Sequence, residues 1–84
     1  MNNESAMYSC SEVIVGFFDD FNLDNAQNVL KQLPYFVKIL NTYELILAVH
    51  VKVVENRVID FAENAKKLKC IKYVNLNYFV KPTL

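Results

Sequence analysis

The spacing of apolar residues changes period several times along this chain, and that order of changes limits the folds open to it. Val13-Ile14-Val15-Gly16-Phe17-Phe18 is apolar at every position except the glycine, the pattern of a strand buried on both faces. The polar loop Asp19-Asp20-Phe21-Asn22 ends it. Ala26, Val29, Leu30 and Leu33 then recur at helical spacing, which predicts a helix capped by Asp24, with Gln27 completing a capping box and Pro34 as the stop. Phe36 to Leu40 reads as a short strand, and Asn41 and Thr42 as its turn. Leu45, Leu47, Val49, Val51 and Val53 alternate with Glu44, Ile46, Ala48, His50 and Lys52, which predicts the second arm of a hairpin. Asn56 is the expected cap of a second helix, whose apolar stripe is Val58, Phe61, Ala62, Ala65 and Leu68. From Ile71 to Val80 the period returns to two.

The order is therefore β-α-β-β-α-β. With right-handed crossovers it predicts an α+β, ferredoxin-like βαββαβ sandwich, a four-stranded antiparallel sheet with two helices on one face. The first and third strands are central in that topology, and they are also the most apolar. Residues 1–11 are polar and are expected to form a flexible N-terminal arm. Residues 12–84 form a single domain, since 84 residues leave no room for a second core.

Composition excludes several classes of function. Nine basic and nine acidic residues cancel, so the basic excess of a dedicated nucleic-acid binder is missing. No apolar run approaches the ~20 residues of a membrane span, and the polar start, with Glu4, lacks a secretory pattern. The charges are nonetheless uneven. Residues 1–42 hold five acids and two bases, and residues 43–84 hold four acids and seven bases. The cluster of Asp19, Asp20 and Asp24 and that of Lys66, Lys67, Lys69 and Lys72 are either two solvated patches or the two halves of a self-complementary contact. Cys10 and Cys70 are expected at opposite ends of neighbouring strands, too far apart for a disulfide, so both should be free thiols in a reducing cytoplasm.

No catalytic, cofactor or metal constellation is legible, and an enzyme is not expected. The cysteines lack metal-ligand or redox spacing, Gly16 is the only glycine, and the lone His50 has no acid or cysteine at the strand spacing on its own strand. The strand alternation instead predicts an apolar sheet face left bare by the helices. Val13, Val15, Phe17, Ile46, Ala48, His50, Tyr73 and Phe79 are its expected members, and a contiguous apolar patch of this kind predicts a homodimer or higher oligomer.

From Leu33 to Pro82 the chain resembles the effector-sensing (RAM) domain of the Lrp/AsnC family. The resemblance lies in Leu33-Pro34, in the hairpin signature Ile39-Leu40-Asn41-Thr42-Tyr43-Glu44-Leu45-Ile46-Leu47, and in Val58-Ile59-Asp60-Phe61 and Leu68-Lys69-Cys70-Ile71. Asn41 and Cys70 stand where that family has glycine, and Glu44 where it has aspartate. The resemblance implies a module of transcriptional regulation without its own DNA-binding domain, which binds an amino-acid-like effector and pairs with itself or with a full-length regulator. Its implied ligand contacts are Asn41, Thr42, Tyr43 and Glu44. A second resemblance is to NapD-type chaperones, which bind a twin-arginine signal peptide. It rests on Cys10-Ser11-Glu12-Val13-Ile14-Val15 and on Leu76-Asn77-Tyr78, with Asp19, Asp20 and Asp24 placed to meet arginines. A purely structural dimerisation domain is the third reading.

Overall fold

The computed structural model describes the backbone of residues 6–80 and the side chains of residues 10–76. The expectations that fall on residues 1–5, on the closing residues 81–84 and on the Phe79 side chain lie outside the described residues. The elements are β1 (Ala6–Phe17), α1 (Ala26–Leu30) behind a single 3₁₀ turn, β2 (Phe36–Tyr43), β3 (Ala48–Val53), α2 (Val58–Ala65) and β4 (Ile71–Val80). The sheet order is β2-β3-β1-β4 and every described pair is antiparallel, so the fold is a ferredoxin-like α+β sandwich.

The core follows from the parity of β1 and β3. Val13, Val15 and Phe17 share one face with Val49, Val51 and Val53, and all six are buried against Leu30 of α1 and Val58, Phe61, Ala62 and Ala65 of α2. This corrects the expected interface. Val13, Val15 and Phe17 lie under the helices, at 2% exposure or less, and are not on the bare face. The residues of β1 that face the other way are Glu12, Ile14 and Gly16, which pair with Lys52, His50 and Ala48.

Local structure departs from the sequence pattern at four points, each with a physical cause. The expected arm is strand from Ala6 onward, because its backbone pairs with the far end of β4 (Ala6 with Val80, Tyr8 with Tyr78) whatever its side chains. The 3₁₀ turn that leads into the first helix is capped by Asn22, and Asp24 caps neither. The Asn22 side-chain oxygen accepts from the Asp24 N–H at 2.9 Å, and the helix starts one 3₁₀ turn early. Asn56 does not cap α2; it adopts φ 67°, which asparagine tolerates, and donates its N–H to the Cys10 carbonyl at 2.6 Å.

The hairpin turn is also displaced. Asn41 and Thr42 are ladder residues opposite His50 and Val49, and the chain reverses at Glu44–Ile46. Ile46 therefore sits in the turn instead of on the sheet face. Two bulges lengthen β2, each placing an extra residue, Val37 and then Leu40, against β3. Leu47 closes the turn at φ 51°, a costly conformation for a bulky residue. Two hydrogen bonds hold it there: its N–H donates to the Glu44 carbonyl, and its own carbonyl accepts from Phe17 N–H at 2.8 Å.

Phe61 has no solvent exposure, so Phe61→Ala should cost about 3–5 kcal/mol in urea unfolding. Leu45→Ala, at a fully exposed hairpin position, should change stability by less than about 0.5 kcal/mol.

Candidate functional site

The face of the sheet opposite the helices carries the candidate site. One row crosses all four strands as Tyr43, Ala48, Gly16 and Tyr73, aromatic at both edges and small in the middle. The next row is Asn41, His50, Ile14 and Asn75. Gly16 is where a side chain would be least tolerated. A Cβ built there would stand 2.1 Å from Cε2 of Tyr73, so the tyrosine ring occupies the space that the missing side chain leaves. A cross-strand aromatic over glycine restores the packing such a position lacks. Tyr73 remains half-exposed, and together with Ile14 it makes a shelf on an otherwise polar face.

His50 has an acid partner that strand spacing alone could not reveal. Its Nε2 lies 2.8 Å from Oε1 of Glu12, on the neighbouring strand and one register step away. The signal was present in both segments, but the pairing depends on a register that no local pattern reports. The pair orients the imidazole, and Lys52 stands opposite Glu12 in the ladder. The bare face therefore mixes charge with apolar surface and is not the uniform apolar patch expected from alternation.

At one end of this face lies the acidic loop. Phe18 follows the last residue of β1 and donates its N–H to the Cys70 carbonyl, while Phe21 N–H donates to the Phe18 carbonyl and closes a tight turn with Asp19 and Asp20 at its tip. Phe21 stacks on Phe17 with centroids 4.2 Å apart and planes within 9°. That stack pins the loop to the helix-side core, and both carboxylates are exposed.

The ligand residues implied by resemblance, Asn41, Thr42, Tyr43 and Glu44, are neighbours on the outer edge, and all are exposed. They do not line the half-open cavity of about 290 Å³ found between α2 and β4, whose walls include Ile59, Glu63, Lys66 and Val74. Both cysteines are free; Cys10 is exposed and its thiol donates weakly to Glu55 at 3.7 Å. Among the described residues no group of three or more His, Cys, Asp or Glu side chains is placed to hold a metal ion, and no helix is long and apolar enough to cross a membrane. No protein-family model matches the chain, and neither the curated proteins nor the solved structures searched gave a match.

Gly16→Ala should push the Tyr73 ring into solvent and cost about 1–3 kcal/mol, as overpacking does. Urea unfolding of the single and double variants tests the cause. The penalty should vanish when Gly16→Ala is made in a Tyr73→Ala background.

Proposed function

We propose that this chain is a non-catalytic binding module of the cytoplasm that holds a short basic and partly apolar polypeptide segment on the bare face of its sheet. The observations that carry the reading are the half-buried Tyr73 and Ile14 on the bare face and the exposed Asp19 and Asp20 in the loop that follows β1. A peptide crossing the sheet would lay apolar side chains on the shelf, and its arginine guanidinium groups would meet the two carboxylates. The reading accords with the resemblance to NapD-type chaperones. Two unpaired thiols are consistent with a reducing compartment.

The second reading is the effector-binding and oligomerisation module of the RAM type, in transcriptional regulation. It is favoured by the exposed hairpin edge at Asn41, Thr42, Tyr43 and Glu44, which a second subunit or a full-length regulator would cover. In that arrangement a small effector would sit between subunits, so its site would be incomplete in one copy.

Fluorescence anisotropy with a labelled peptide carrying paired arginines ahead of an apolar stretch separates the two readings. Asp19→Asn with Asp20→Asn should weaken binding by about fivefold to tenfold at low salt, and the difference should shrink as salt rises. Amide and side-chain shifts should map to Ile14, His50 and Tyr73. Equal binding of a peptide whose arginines are replaced by glutamine, or shifts confined to residues 41–44, would sink the peptide reading.

A further inference from the structure

The β2 margin of the sheet carries a second surface, which meets the bare face at Tyr43. Edge strands are normally protected from pairing by charge or by bulges, and β2 has both, in Lys38 and in the two register shifts. What the bulges add is unusual. The inserted residues are apolar, and they belong to a row of exposed hydrophobic side chains at every third position: Val37, Leu40, Tyr43 and Ile46, each between 38 and 61% exposed. A simple alternating strand cannot do this, because residues three apart fall on opposite faces. Each bulge resets the parity and brings the next apolar residue back outward. From Val37 to Tyr43 the row is ~20 Å long, and contiguous exposed apolar surface of this kind marks a contact with another molecule.

Charge identifies the occupant. Lys38 stands near one end of the row and Glu44 near the other, and neither has an ion-pair partner among the described residues. Lys38 is opposite Lys52 in the ladder, a like-charge pairing that disfavours the edge as it stands. A second copy running antiparallel along the same edge would correct this on both sides of a two-fold axis near Asn41 and Thr42. About that axis Lys38 of each copy would lie near Glu44 of the other, with Val37, Leu40, Tyr43 and Ile46 of the two copies meeting along the seam. A parallel copy would set lysine beside lysine. We infer that this protein self-associates through the β2 edge as a two-fold antiparallel dimer, with an apolar seam closed at each end by a Lys38–Glu44 pair. Because the bulges interrupt the row of free backbone groups, the seam is made of side chains and is not a continuous eight-stranded ladder. Such an isologous contact closes on itself and does not propagate into fibres. Its small extent places it with the weaker associations.

Sedimentation equilibrium from micromolar to millimolar protein tests the inference, with circular dichroism to confirm folding. The wild-type protein should move from monomer to dimer and no further. Lys38→Glu and Glu44→Lys should each weaken association by about tenfold or more, since each sets like charges together. An equimolar mixture of the two variants should recover it, because only the mixed dimer has opposite charges at both ends. Val37→Asp with Leu40→Asp should leave a folded monomer. A wild-type protein that stays monomeric at millimolar concentration overturns the inference, as does association that none of these substitutions changes. None of the four substitutions falls on Ile14, Tyr73, Asp19 or Asp20, so loss of the dimer with peptide binding intact separates this inference from the function proposed above.

Discussion

Everything in this fold depends on the placement of β1 between two partner strands and beneath α2. Its amide groups are shared between β3 and β4, so its register sets the parity of the whole sheet. Once Val13, Val15 and Phe17 are committed to the helices, Ile14 and Gly16 must face the other way, and with them Ala48, His50, Tyr73 and Asn75. The packing of Phe61 and Leu30 on that strand supplies the driving force, and the functional face is its geometric by-product. The Phe17–Phe21 stack extends the same logic into the loop, tying the exposed carboxylates to the core.

Much of this architecture was legible from spacing alone. The stripe Val58, Phe61, Ala62 and Ala65 is buried as its helical period predicts, and the β-α-β-β-α-β order yields the sheet order found. The features that were not legible are matters of register and parity between strands. Bulges at Val37 and Leu40 insert residues without any strong local signal, which carried the ladder past Asn41 and Thr42 and moved the turn to Glu44–Ile46. Assigning Val13, Val15 and Phe17 to the bare face was an error of parity: a strand apolar at every position does not announce which set lies beneath the helices. Nor could the pairing of His50 with Glu12 be found from one strand, since it joins positions 38 residues apart.

The two faces of the sheet divide their labour by chemistry. Beneath the helices, valine and phenylalanine pack with little exposure and admit little change. On the bare side, tyrosine, histidine, glutamate and asparagine give a surface that stays solvated yet offers the Tyr73 ring over Gly16. Along β2 the two bulges interrupt the alternation of faces, and Val37 and Leu40 stay exposed there.

The chain has one glycine, yet three described residues, Tyr35, Leu47 and Asn56, hold left-handed backbone conformations. A glycine-poor unfolded chain has fewer states to surrender on folding, which partly offsets the strain those positions carry. The corollary is that such a turn leans on its surroundings. Leu47 has one local bond, from its N–H to the Glu44 carbonyl, and its own carbonyl is satisfied only by Phe17. The β2–β3 reversal is thus held in part by a central strand thirty residues away in sequence, and the sheet shapes the turn as much as the turn shapes the sheet.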